Sequence, residues 1–221
     1  VHMIPVLAIC DPEITIGLPK SLTAACGVDA LTHCIEAYTV QLHQPITDAL
    51  ALKGISMIAE NLEKAYENGE DREARRNMMI ASTIGGMAFI SSNVGAVHAF
   101  AETVGAWFDT PHGVANSLFL PYIMEFNIPA CPERFADIAD AMGIEREESM
   151  SDEQYALKAV EYVKALNRKL NIPTIKEIKG ITEERFEAIA ERSANNVLSN
   201  DNARKITKED YLELLKKAYN E

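Results

Sequence analysis

One stretch of these 221 residues has the short, uninterrupted apolar character of a β-strand: IPVLAIC, Ile4 to Cys10, which ends at Asp11-Pro12. That scarcity constrains the fold more than any other feature of the chain. A lone strand cannot satisfy its own backbone hydrogen bonds, and it calls for a partner that the other residues do not supply. The core must therefore be built from helices packed on helices. The chain reads as an all-α, bundle-like domain with one short N-terminal strand.

The punctuation agrees. A helix is expected from about Pro19–Ser21 to Val40, and another from Pro45 to Gly69, which stands where a helix-terminating glycine should. A third runs from Asp71 to Phe89 and is broken by the polar ISSN. Gly95 to Trp107 reads as a short buried helix. The turn FDTPHG follows, then the apolar HGVANSLFLPYIMEFN, then Cys131 to Met142. The acidic loop GIEREESMS, residues 143–151, is the best subdomain boundary. Beyond it, Asp152 to Leu170 carries Tyr155, Val160, Val163 and Leu166 at helical spacing, and Thr182 and Thr207 stand as N-caps before acids. Val1-His2-Met3 reads as a cloning remnant, so the expected domain is 4–221.

A net charge of −12 argues against nucleic acid and anionic membranes as partners. The early apolar run MIPVLAIC is too short to cross a bilayer. Cys10, Cys26, Cys34 and Cys131 form no CxxC pair and read as reduced, mostly buried thiols of a cytoplasmic protein.

The chemistry-bearing residues are histidines in apolar surroundings. Asp29 and His33 lie four apart in GVDALTHCIEAY, on one helix face. His98 sits among small residues in SSNVGAVHAFAE, and His112 in the turn TPHG; His43, in QLHQPIT, reads as a solvated loop residue. A lone histidine on an apolar face is commonly a satisfied core residue. A buried carboxylate, however, needs a partner, and one carboxylate with three imidazoles can serve a divalent first-row metal such as iron(II), zinc, manganese or nickel. Spacing alone leaves both readings open.

The segments LTAACGVDALTHCIEAY and VHAFAETVGAWFDTPHGVANSLFLPYIMEFN resemble the two signature regions of the iron-containing (group III) alcohol dehydrogenases. LAICDPEITIGLP and DNARKITKEDYLELLKKAY resemble flanking parts of the same family, so the likeness runs from about Ile4 to Tyr219. The resemblance implies that Asp29, His33, His98 and His112 bind the metal, Fe2+ with Zn2+ as the alternative. It implies that Ile14, Thr15 and Phe89 face the nicotinamide cofactor, NAD or NADP. Many members carry a further histidine four residues after the third ligand; this chain has Glu102 there, the catalytic candidate, whose carboxylate could accept a proton or line the substrate pocket without a catalytic part.

The family so resembled has a second, N-terminal α/β domain with a glycine-rich turn for the cofactor's pyrophosphate. The eleven glycines here form no GxGxxG and no triple-glycine loop. The expectation is thus the metal-binding domain of an alcohol dehydrogenase acting on a small alcohol or aldehyde, inactive without its dinucleotide-binding partner domain, and prone to self-associate through its uncovered face. The rival readings are a glycerol-dehydrogenase-like zinc enzyme domain and a non-enzymatic helical interaction module.

Overall fold

The computed structural model describes residues 6–221. The remnant at Val1-His2-Met3 and the first two residues of the expected strand lie outside that range. Nine α-helices occur among the described residues: α1 (Lys20–Thr39), α2 (Pro45–Glu67), α3 (Arg72–Ser92), α4 (Ala96–Phe108), α5 (His112–Asn127), α6 (Pro132–Ala141), α7 (Asp152–Lys169), α8 (Phe186–Ala194) and α9 (Lys208–Asn220). Five short 3-10 turns join them, the first at Pro12–Thr15.

The expected strand is not there. No strand occurs among the described residues; 6–11 have no regular structure, and Val6, Leu7 and Ile9 are largely exposed. The cause is the one that made the stretch unusual: no other strand offers it a ladder, and an isolated strand has nothing to hold its backbone.

α1 is the axis of the domain. It packs against α2, α3 and α5 and is buried along most of its length, as befits a helix apolar on nearly every side. Ala24, Ala25, Gly27, Ala30 and Ala37 keep its surface low enough for three neighbours to approach. α4 is held between α5 and α8. Its Phe100 stacks on Phe119 of α5 at 4.1 Å, with Tyr211 of α9 edge-on at 4.6 Å, so the three helices share one aromatic contact. A single apolar core runs from α1 to α9.

Of the two N-caps expected from the sequence, Thr207 forms and Thr182 does not. Gln44 with Thr47, Ser151 with Gln154 and Thr207 with Asp210 form reciprocal capping boxes. Thr182 opens only a 3-10 turn and makes no side-chain cap. The break at ISSN comes three residues later than the pattern suggests: α3 runs to Ser92, and Asn93 turns the chain with φ of 76°. The thiols divide evenly, Cys34 and Cys131 buried, Cys10 and Cys26 exposed, all four free. Among the described residues, no single helix is long and apolar enough to cross a membrane.

Candidate metal centre

Three helices bring four side chains together. α1 supplies Asp29 and His33 from successive turns, α4 supplies His98 from its first turn, and α5 supplies His112 as its first residue. One donor atom from each lies within 4.8 Å of all the others. The Nε2 atoms of His33 and His98 are 3.1 Å apart, His112 Nε2 is 3.6 Å from Asp29 Oδ1, and His33 Nδ1 is 3.8 Å from Asp29 Oδ2. The cluster is graded from inside to outside: the His98 side chain is 5% exposed, those of His33 and Asp29 about a fifth, and that of His112 49%. It is therefore closed on the α4 side and open where His112 stands.

The close approach of α1 and α5 depends on Gly113. A Cβ there would lie 2.4 Å from the carbonyl oxygen of Ala25 and 3.3 Å from the Cβ of Asp29. Only glycine lets the first turn of α5 rest directly on the α1 backbone.

Two further residues complete the site. Glu36, on α1 and 3% exposed, accepts the His98 Nδ1–H at 2.5 Å. In the neutral ring that arrangement presents His98 Nε2 to the cluster as the acceptor nitrogen. Asn116, fully buried on α5, donates from Nδ2 to Asp29 Oδ1 at 2.5 Å and lies 3.1–3.2 Å from Nε2 of His98 and His112; its Oδ1 has no partner. Burial and the neighbouring His98 hold the His33 pKa below its ordinary value. At His98 burial also pulls downward, but the hydrogen bond and charge of Glu36, with Asp29 and Glu102, outweigh it and leave the pKa raised.

Imidazole lone pairs converging beside a carboxylate repel one another unless a ring proton, a donor such as the Asn116 NH2, or a cation lies among them. Three nitrogens and one carboxylate oxygen, with no thiolate, fit a divalent first-row ion.

Phe89 of α3 stacks on the His33 ring, centroids 4.5 Å apart and planes 24° from parallel. Glu102 lies one turn beyond His98 on α4 and accepts a hydrogen bond from Asn196 at 2.6 Å. With Thr103, Trp107 and Arg192 it lines an open cavity of about 500 Å³ between α4 and α8. Ile14 and Thr15 belong to the 3-10 turn packed on α3. Ile14 is exposed; Thr15 donates to the Pro12 carbonyl and lines a separate cavity of about 150 Å³ with Thr23, Cys26 and Arg75. His43 is a surface residue beside Asp48, at 3.4 Å. Glu36 and Asn116 escaped the reading of the sequence, although each carries a signal: Glu36 continues the Asp29–His33 face at i+7, and Asn116 lies one turn after His112.

Comparison with known proteins adds a lineage to this geometry. Residues 23–219 match the family described as "Fe-containing alcohol dehydrogenase family, C-terminal". Alcohol dehydrogenase 4 of Saccharomyces cerevisiae is 42% identical over 221 residues, which cover 99% of this chain and 56% of the yeast protein. The 1,3-propanediol dehydrogenase of Klebsiella pneumoniae is 40% identical over 216 residues, covering 98% of this chain and 56% of the relative. The solved alcohol dehydrogenase from Oenococcus oeni superposes with a TM-score of 0.91 at 40% identity, over 95% of this chain and 54% of that one. The chain thus spans little more than half the length of the relatives it matches.

Proposed function

The chain belongs to the Fe-containing alcohol dehydrogenase family, and from that premise we propose that its 221 residues form the metal-binding catalytic half of an NAD(P)-dependent alcohol dehydrogenase. The observation that carries the reading is the convergence of Asp29, His33, His98 and His112, from three helices, within 4.8 Å.

Those four side chains would hold Fe2+, or Zn2+ in its place. The bound ion supplies Lewis acidity, which lowers the pKa of an alcohol hydroxyl or polarises a carbonyl for hydride exchange with the nicotinamide. Three neutral imidazoles and one carboxylate leave a divalent centre with a net charge of about +1, so the donor set preserves that acidity. The half-exposed His112 marks the side from which a small alcohol or aldehyde enters. Phe89, stacked on His33, fixes that ring and offers an aromatic wall toward the cofactor. We assign Glu102 the role of taking up a proton at its carboxylate; its position one turn from His98 and beside the open cavity supports the assignment. The 1,3-propanediol dehydrogenase of Klebsiella pneumoniae is named for a small polyol, and we assign this site the same broad class, small primary alcohols and diols. Ile14 and Thr15 belong to this proposal as residues of this chain that face a cofactor held by a neighbouring dinucleotide-binding domain.

The test is elemental analysis of purified protein beside an Asp29→Ala/His33→Ala variant. About one iron or zinc per chain, lost in the variant, is the expected result. No metal after anaerobic reconstitution would refute the reading. No glycine-rich phosphate turn occurs in these residues, so the 221-residue chain by itself is expected to show little NAD(P)H turnover; robust turnover would contradict that part.

A further inference from the structure

We infer that Glu36 is the positioning residue of this centre: its two carboxylate oxygens lock the His98 tautomer and the first turn of α4 together. The inference rests on the metal-centre reading above and concerns a residue that does not itself reach the cluster.

α4 begins without a cap of its own. Its N-cap is Gly95, which has no side chain to offer, yet Ala96, Val97 and His98 start the helix in the buried interior. Orphaned N–H groups at a buried helix start need acceptors from elsewhere. Val97 N–H donates to Glu36 Oε1 at 2.7 Å, and Ala96 N–H to Asn202 Oδ1 at 3.3 Å. Glu36 Oε2 accepts the Nδ1–H of His98 at 2.5 Å. One carboxylate of α1 therefore holds both the backbone that carries His98 and the ring that His98 presents.

Chemistry follows from the donor count. A backbone N–H can only donate, and His98 must also donate from Nδ1 if Nε2 is to be free for a metal. Glu36 is thus required to accept on two separate atoms, Oε1 and Oε2, which a carboxylate does and an amide, with one oxygen and one NH2, does not. The Glu36→Gln variant has nearly the same shape, but one of its two atoms is an NH2. If the amide oxygen keeps Val97, the NH2 faces Nδ1 and drives the proton to Nε2, where it blocks coordination. If the oxygen keeps His98, the NH2 opposes Val97 N–H and the helix start loses its acceptor. Gly95 supports the arrangement, since a Cβ there would lie 3.1 Å from both Glu36 Oε1 and Asn202 Oδ1.

The experiment has two readouts on wild type, Glu36→Gln and Glu36→Ala. The first is Co2+ titration followed by its ligand-field spectrum. Wild type should bind one ion, and Glu36→Gln should bind roughly 10–100-fold more weakly with an altered spectrum, while circular dichroism shows unchanged helix content. The second is 15N NMR of histidine-labelled, metal-free protein under alkaline conditions, where the imidazoles are neutral. His98 should carry its proton on Nδ1 in wild type and shift toward Nε2 in Glu36→Gln. A merely structural Glu36 would leave the tautomer of a folded variant unchanged. Wild-type affinity together with a wild-type tautomer in Glu36→Gln would overturn the inference. Failure of wild type to bind Co2+ would instead count against the metal-centre reading, and the tautomer measurement would still decide the role of Glu36. Should Glu36→Ala unfold, the near-isosteric Glu36→Gln carries the test.

Discussion

Gly113→Ala is a one-methyl perturbation beside the proposed metal centre that alters none of its four side chains. The added Cβ would fall 2.4 Å from the Ala25 carbonyl oxygen and 2.7 Å from its carbon, where ordinary contact starts at 3.4 Å. The obstacle is backbone, so no side-chain rotation relieves it. α1 and α5 must part by about 1 Å at their contact. Asp29 and His33 ride on α1, and His112 immediately precedes the substituted residue on α5. A metal site tolerates donor displacements of about 0.2 Å, so the separation should weaken Co2+ binding at least ~10-fold. Overpacking costs about 1–3 kcal/mol, and exchanging glycine for alanine inside a helix returns about 0.5–1 kcal/mol. A net loss of about 1–2 kcal/mol is expected in thermal or urea melts. Gly86→Ala in α3 is the control: no atom lies within 4 Å of its added Cβ, so it should keep its metal and gain about 0.5–1 kcal/mol. If Gly113→Ala binds Co2+ as tightly as wild type and melts no lower, the close-approach argument is wrong.

Gly95→Ala should weaken Co2+ binding less than Gly113→Ala, because the atoms it crowds, at 3.1 Å, are side-chain oxygens that can yield; equal losses in parallel titrations would contradict this. Thiol titration of the native protein should find Cys10 and Cys26 reactive, while Cys34 and Cys131, whose pKa values burial pushes up to about 12 and about 11, react only on unfolding. Fast modification of all four would show an interior more open than described. The Thr174 backbone N–H and hydroxyl hold the Glu177 carboxyl below its ordinary value. A depressed carboxyl contributes stability that is present above its unfolded pKa of 4.5 and lost as pH falls through the folded value. Glu177→Ala should therefore melt lower than wild type at neutral pH, with the gap closing in acid; a gap that widened in acid would reverse the sign. Asn116→Ala should weaken metal binding through the loss of its hydrogen bond to Asp29, and Asn116→Asp, which places a second carboxylate against Asp29, should alter the Co2+ spectrum.

Local pattern was enough to place most of the helices and to single out Asp29, His33, His98 and His112, which the fold gathers into one cluster. The i, i+4 spacing of Asp29 and His33 shows in the residues themselves, because one turn of helix fixes which side chains share a face. The signature segments that hold His98 and His112 were equally legible. Where local pattern misled, the deciding partner was far away in the chain. IPVLAIC looks like a strand by composition, but strand formation depends on a neighbour, and none is present among the described residues. Cys26 looks like its buried companions, yet it lies at the surface of α1 beside Asp29.

Glu36 was indistinguishable in sequence from an ordinary helix acid. Its role exists only because folding sets it against Val97 and His98, sixty-odd residues on. Asn116 likewise becomes a hydrogen-bond donor to Asp29 only across the α1–α5 contact that Gly113 permits. The sequence by itself determined which atoms can donate to a metal, since that is a property of residue type and helical repeat. Only the tertiary structure decided which way their lone pairs and protons point, because that orientation is imposed by hydrogen-bond partners brought in from other helices.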